Sequence, residues 1–561
     1  MDLSSRSVQE VNKYIEAVHS NKVLACNLVH RALQRHLDDL EKSKGDDYPY
    51  YFDEDEAYHV FDFFQYCKHS KGEWAGNAIE LEPWQMFIIA QVFGWRAKET
   101  GLRRFRVVYI EVPRKNGKTT FTAAIGLYQM VAEGEMGAEI YSVASKKDQA
   151  RIVFDEAKNM VRASKALQEE IEPLAHNLNC LRFMSKFQPL GKNANSLDGL
   201  NVQLSIHDEL HAWKDEGLYS VMETATGSRR HPIIWNITTA GFDKSLYCYE
   251  LHQYTRKVLN GTIDDDTHFG IIYTVDEGDD WKKQSTWEKA NPNWGVSVKP
   301  DDMERLCKKA EEITSNQNAF LCKRLNIWTS QESRWLDMDS WNACNEPLEM
   351  VDLVNEQCVL GLDLSTSTDI CACVYVFLTK QNELKLYCRF FLPEDAIYKK
   401  SGIERSLYDR WVRDGWLITT EGRTLDYDVV QEDIETHAEK FNISHVAFDP
   451  WNASQITKHL EKKGFNMVQV RQGVYTLNDP CKMLEKFILA KAVIHGNNPV
   501  LTWMADNVVV KYDDNNNITP SKKKSLQKID GISATVTAMS IFKGDIEPKK
   551  SVYSQRGIRM L

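Results

Sequence analysis

A short strand, a loop and a helix within residues 106–122 constrain this chain more than any other stretch. The segment reads RVVYIEVPRKNGKTTFT. Val107, Val108, Ile110 and Val112 form a β-branched run of the kind buried in a sheet. Pro113 ends it, and FTAAIGLYQMVA resumes with helical apolar spacing. A strand that turns through Gly117-Lys118-Thr119 into a helix presents backbone N–H groups and a helix N-terminus to phosphates. Arg114, Lys115, Asn116, Gly117, Lys118, Thr119 and Thr120 are therefore candidate nucleotide-binding residues. Lys118 is placed for the β- and γ-phosphates and the Thr119 hydroxyl for Mg²⁺. Val112 stands where the usual pattern has its first glycine, so the loop alone is equally an ordinary strand–turn–helix.

The downstream sequence separates the two readings. AEIYSVAS (138–145) predicts a second buried strand, with Ser145 the expected N-cap of the next helix. NVQLSIHDE (201–209) is an apolar strand ending in Asp208 and Glu209, the acids a nucleotide hydrolase needs opposite its phosphate loop. Asp208 is expected in the Mg²⁺ shell, and Glu209 is expected to orient or deprotonate the attacking water. HPIIWNI (231–237) runs into Thr238, Thr239 and Ala240, which read either as a strand-ending turn or, as in helicase-like motors, as the element that senses the γ-phosphate and couples its loss to movement. Upstream, Gln85 allows two readings, an adenine-reading amide or a helix-capping residue. Asp198-Gly199-Leu200 and Arg229-Arg230 carry no assigned chemistry.

With 561 residues the chain has room for two or three domains, each with its own core. A net charge of −11 argues against a coat-like nucleic-acid binder but leaves room for local basic patches. Twelve scattered cysteines without C-x-x-C pairs read as reduced, buried thiols. Neither a secretory signal nor a membrane-length apolar run is present, so no membrane partner is expected. The expected division is a helical appendage at 1–60, an ATPase core at 61–241 and a linking subdomain at 242–350. A second α/β domain follows at 351–545, then a flexible basic tail at 546–561. The tryptophans of 242–345 read as packing residues, with stacking on nucleic acid as the alternative.

The second domain repeats the strand-end logic. CVLGLDLS carries Asp363 and HVAFDP carries Asp449, while Asp530 opens a late helix after a hairpin turning at DDNNN. Carboxylates at two central strand ends and a helix start are the arrangement of ribonuclease-H-like nucleases. There they bind two divalent ions, Mg²⁺ or Mn²⁺, roughly 4 Å apart. Asp369 and Asp506 are possible supporting acids, and Asp513 and Asp514 read as turn residues. Lys522, Lys523 and Lys524 either meet a phosphate backbone or form a solvated basic hairpin.

PWQ at 83–85, VPRKNGKTT, LDGLNVQLSIHDELHAW at 197–213, ITTAG at 237–241, WEKANPNW at 287–294 and the run at 320–344 together resemble the large terminase subunits of tailed bacteriophages. The resemblance covers nearly the whole chain, and a missing first glycine is usual in that family. It implies a P-loop, helicase-like ATPase domain followed by a ribonuclease-H-like endonuclease. Such a protein packages double-stranded DNA with ATP and cuts concatemers. The same resemblance implies a catalytic Arg114 directed at the γ-phosphate, where a solvent-facing arginine is the alternative, and points to Asp363, Asp449 and Asp530 as nuclease ligands. Implied partners are a small terminase subunit, a portal protein and further copies of the chain. The implied location is the cytoplasm of the infected host cell, not the mature virion. Two rivals remain at this point: a helicase–nuclease of DNA repair or recombination, and a nucleotide-dependent adaptor with an inert nuclease half.

Overall fold

The computed structural model describes every residue except 1–2, 192–198, 215, 330–334, 366–368, 401, 451–455, 514–516, 526 and 543–561. Asp198, Asp514 and the tail expected at 546–561 therefore lie outside the described residues. Contacts divide the chain into two units, one of residues 1–310 and 319–329, the other of 311–318 and 330 onward.

In the first unit, β1 (Tyr50–Phe52) and β2 (Trp95–Ala97) form a small antiparallel ribbon. The main sheet comprises β3 (Val107–Glu111), β4 (Glu139–Ala144), β5 (Glu172–Pro173), β6 (Leu178–Cys180), β7 (Ser185–Gly191), β8 (Val202–Asp208), β9 (Ile233–Thr238) and β10 (His268–Ile272). Its eight strands run in the order β10-β3-β9-β8-β4-β7-β6-β5. Pairs from β10 to β7 are parallel, and β7-β6 and β6-β5 are antiparallel. The central strands read as continuous apolar runs because helices cover both faces of a parallel sheet. One placement decides the chemistry: β9 lies between the phosphate-loop strand β3 and the acidic strand β8.

Helices Leu3–His19, Asn27–Ser43 and Glu54–Phe64 contribute Val11, Val29, Leu33, Val60 and Phe64 to the same core as β3 and β8. The N-terminal helices are thus integral to this unit rather than an appendage to it. Ser145 is not a cap. The helix Lys147–Ala163 starts one residue later than expected, from Lys146, with no side-chain capping bond. Trp281, Trp287 and Trp294 pack with Phe320 and Leu325 in a small core of their own.

The second unit is a mixed sheet of β11 (Gln357–Asp363), β12 (Cys371–Leu378), β13 (Leu384–Pro393), β14 (Ile418–Thr420), β15 (Asn442–Phe448), β16 (Met467–Gln469) and β17 (Val493–Ile494). The order is β14-β13-β12-β11-β15-β16, with β17 beside β13. β11, β12 and β13 pair antiparallel, whereas β15 joins β11 in parallel and β16 joins β15 in parallel. β18 (Val510–Tyr512) and β19 (Ile518–Pro520) make the expected hairpin. Trp335, Leu336, Met338 and Trp341 are buried in this unit's core. The second unit therefore begins ahead of the boundary expected at 350, because four large apolar side chains there need its core to be buried. All twelve cysteines are free and all but Cys388 are buried. Among the described residues no helix is long and apolar enough to cross a membrane.

Candidate active sites

The loop leaves β3 through Val112, whose N–H donates to Thr238 O at 3.0 Å. It enters the helix Lys118–Val131 through Gly117 at φ 76°. Lys115 takes the same left-handed region at φ 76°, a conformation that costs a residue with a side chain roughly 1 kcal/mol. Lys118 is buried, and its Nζ donates to Val112 O at 3.0 Å and Pro113 O at 3.3 Å. Burial lowers its pKa, while Glu209 and Asp208 raise it. Asp208 is buried too; burial and the neighbouring Glu209 raise its carboxyl to about 7, with Lys118 opposing. A buried ammonium beside a buried carboxyl and a half-buried carboxylate is a charge set that could meet phosphate and a cation.

Glu209 sits at φ 51°. Its Oε2 lies 3.1 Å from His211 Nδ1 and accepts from Thr239 Oγ1 at 3.5 Å. His211 also meets Thr238 Oγ1 at 3.1 Å through both Nδ1 and its backbone N–H. One imidazole, its pKa lowered by burial against the pull of Glu209, thus ties Glu209 to the end of β9. Thr119 and Thr120 stand half-buried in the first helical turn, and Arg114 is exposed, its N–H on Lys323 O at 3.0 Å. For Gln85 the cap is made: Oε1 accepts from Glu82 N at 3.0 Å. Its Nε2 nevertheless lies beside Gly117, 3.9 Å from where a Cβ would stand.

Sequence reasoning missed a second layer behind this site. Glu111, the last residue of β3, is fully buried and accepts from Tyr109 Oη at 2.5 Å, Asn326 Nδ2 at 3.2 Å and Trp328 Nε1 at 3.3 Å. His252 Nδ1 lies 2.8 Å from the same carboxylate. Asn326 also donates to Tyr273 O at 2.8 Å and accepts from Ala240 N at 2.6 Å. The end of the phosphate-loop strand and the Thr238–Ala240 turn therefore hang on one side chain. The only trace in the sequence is an acid ending an apolar strand, which local pattern cannot distinguish from a solvent-facing residue.

In the second unit Asp363 ends β11, Asp449 follows β15, and Asp530 is the first residue of the helix Asp530–Met539. Register pairs Leu362 with Phe448, so Asp363 and Asp449 leave adjacent parallel strands side by side. Gly361 admits the helix: a Cβ there would overlap Ala534 O. Lys522 bridges Asp363 and Asp530, its Nζ 2.8 Å from Asp363 Oδ2 and 2.7 Å from Asp530 Oδ1. Burial, with Asp530 next, raises Asp363 to about 7; Lys522 opposes the shift and Asp449 adds to it. Burial would lower the Lys522 pKa, but the two aspartates hold it above the ordinary lysine value.

Among the described residues no three carboxylate, imidazole or thiol groups stand close enough together to hold an ion. The convergence of three acids expected from the sequence is therefore partial: two share one ammonium, and Asp449 acts on Asp363 through its field. The donor set fits a divalent cation all the same, since Lys522 supplies positive charge at that point and Asp530 Oδ2 is buried without a hydrogen-bond partner among the described residues. Lys522, its side chain 52% exposed, is thus paired with both aspartates at the surface of the site rather than simply solvated. Asp369 pairs with Lys528.

The terminase large subunit endonuclease family matches residues 262–545, and the terminase large subunit ATPase family matches 83–257. Protein YmfN of Escherichia coli (strain K12) is 33% identical over 353 residues, 61% of this chain and 78% of that protein. The terminase large subunit of Enterobacteria phage HK97 is 28% identical over 495 residues, 86% of this chain and 94% of that one. The crystal structure of the HK97 bacteriophage large terminase is matched at 27% identity with a TM-score of 0.43, over 86% of this chain and 99% of that one. Both family models are terminase models, so the repair and recombination reading is without support, as is an inert adaptor. Matched by the ATPase model and the endonuclease model of one family, this chain is a member of the terminase large subunits, in which a DNA-packaging ATPase and an endonuclease share one polypeptide.

Proposed function

We propose the following roles for the residues of the two sites. ATP enters over Gly117, and Lys118 exchanges the carbonyls of Val112 and Pro113 for the β- and γ-phosphates, recovering in charge pairing what its burial costs. Lys115, Asn116, Thr119 and Thr120 supply backbone donors, and Thr119 Oγ1 with Asp208 would hold the Mg²⁺ that screens the phosphates. Glu209, held by His211 and Thr239, orients the attacking water and takes its proton. Arg114 stabilises charge on the γ-phosphate as the bond to the β-phosphate breaks. Thr238, Thr239 and Ala240 sense the departure of that phosphate, because they share His211 with Glu209 and are tied through Ala240 to Asn326.

In the second unit Asp363, Asp449 and Asp530 would hold two divalent ions, Mg²⁺ or Mn²⁺. When bound there, such ions activate water and stabilise the departing 3′ oxygen. Lys522 must leave the aspartates for this, and its freed ammonium then faces the DNA backbone. Partners are double-stranded DNA, a small terminase subunit, the portal protein and other copies of the chain, met in the cytoplasm of the infected cell.

The observation supporting this division of labour is that each site has its own lysine–carboxylate set on its own sheet: Lys118 with Asp208 and Glu209, and Lys522 with Asp363 and Asp530. The two chemistries should therefore separate. Lys118→Ala or Glu209→Gln should abolish ATP turnover and DNA packaging yet leave metal-dependent nicking of supercoiled DNA largely intact. Asp363→Asn, Asp449→Asn and Asp530→Asn should each slow nicking by orders of magnitude and spare ATP turnover. Equal loss of nicking in Lys118→Ala and Asp363→Asn would refute the two-site reading.

A further inference from the structure

The stretch WEKANPNW at 287–294 marks the family in the sequence, yet neither chemistry above uses it. Its two asparagines are buried and grip the middle of the phosphate loop. Asn116 Nδ2 donates to Asn291 Oδ1 at 2.9 Å and to the loop's own Pro113 O at 3.1 Å. The Asn293 N–H donates to Asn116 Oδ1 at 3.0 Å. Asn291 is itself fixed, donating to Trp287 O at 2.8 Å and Arg324 O at 3.0 Å. The Asn293 side chain accepts from Trp84 Nε1 and donates at 3.0 Å to Ser297 Oγ. That hydroxyl donates in turn to Lys115 O at 2.6 Å.

The loop therefore has its carbonyls at 113 and 115 and its buried amide at 116 satisfied, the last two by residues almost two hundred positions away. Lys115 is the residue in the left-handed region, and such a conformation persists at a residue with a side chain only where its surroundings impose it. The usual phosphate loop has a glycine where Val112 stands, but this loop takes its shape from outside. We propose that Asn291, Asn293 and Ser297 are positioning residues of the ATPase. They hold residues 114–117 with their N–H groups ready for phosphate before any nucleotide arrives, which removes the ordering cost of binding. The inference rests on the phosphate-loop reading of residues 114–120. It also gives this segment, which the endonuclease family model covers from residue 262, a place in the first unit's chemistry.

The test uses the full-length chain with Ser297→Ala, Ser297→Thr and Asn291→Ala beside the wild type. Three quantities are measured: hydrogen exchange of the peptide spanning 113–120 without nucleotide, affinity for a non-hydrolysable ATP analogue, and single-turnover hydrolysis. Ser297 is only half-buried and lies outside the hydrophobic core, so Ser297→Ala should stay close to the wild-type melting temperature. It should nevertheless exchange faster in the loop and bind the analogue about fivefold more weakly, the worth of one neutral hydrogen bond. Ser297→Thr, which keeps the hydroxyl, should restore both. Asn291→Ala should show faster loop exchange and hydrolysis slowed roughly tenfold or more. Wild-type exchange and affinity in both Ser297→Ala and Asn291→Ala would overturn the proposal. Because exchange is read without nucleotide, it decides the brace even if the wild type were to bind no analogue, an outcome that would count against the phosphate-loop reading instead.

Discussion

Replacing Asn326 by alanine should damage the first unit more than a single neutral side chain ordinarily does. Asn326 is 1% exposed and sits at φ 60°. The substitution strips the acceptor from Ala240 N–H, one donor from Tyr273 O and one donor from Glu111. An orphaned buried N–H costs about 1–3 kcal/mol. Glu111 retains Tyr109, His252 and Trp328, so its loss is the smallest of the three. Alanine in the left-handed region adds roughly 1 kcal/mol. Together these come to about 3–5 kcal/mol, which for a unit of this size lowers its melting temperature by roughly 10 °C. The assay is calorimetry resolving the transition of the first unit from that of the second, repeated for Glu111→Gln and for the double variant. Because the two side chains touch, their costs should fail to add by about 1 kcal/mol. A melting temperature within about 2 °C of the wild type, or strict additivity, would show that the network carries no energy.

Three further outcomes follow from the two sites. Arg114→Lys should bind ATP within a few-fold of the wild type but hydrolyse it roughly a hundredfold more slowly, an effect of about 3 kcal/mol on the barrier; an unchanged single-turnover rate would make Arg114 a surface charge. Lys522→Met should bind Mn²⁺ more tightly than the wild type in equilibrium titration, since the ion no longer displaces an ammonium from Asp363 and Asp530; weaker binding would mean that Lys522 supports the ion instead of competing with it. Asp363, raised to about 7 by burial in the folded chain, holds a proton there between about 4 and 7 that the unfolded chain has released. It therefore subtracts stability as pH rises through that window. Buried His36, His207 and His268, each lowered to about 4, pull the opposite way. The measurement is accordingly the urea midpoint of Asp363→Asn minus that of the wild type, metal-free, and it should grow from pH 5 to pH 8; a flat difference would refute the burial argument.

The sequence by itself determined what is local. Val107–Val112, Pro113 and Gly117-Lys118-Thr119 specify strand, stop and loop within a dozen neighbours, and apolar runs ending in Asp208, Asp363 and Asp449 specify acids at strand ends, because side-chain alternation and turn chemistry act over a few residues. It also separated two α/β halves, since each repeats that strand-end logic around its own core. Only the tertiary structure decided which of these ends meet. It set β9 between β3 and β8 and so brought Thr238 and Thr239 to Glu209 through His211. It placed Lys522 rather than a third carboxylate between Asp363 and Asp530, and gave Trp335 and Trp341 to the second core. Asn116 meets Asn291 and Glu111 meets Asn326, partners 175 and 215 positions distant in the chain. No periodicity links such pairs; they meet because a buried amide or carboxylate must be hydrogen-bonded, and the folded core leaves each of them only one set of neighbours with which to do so.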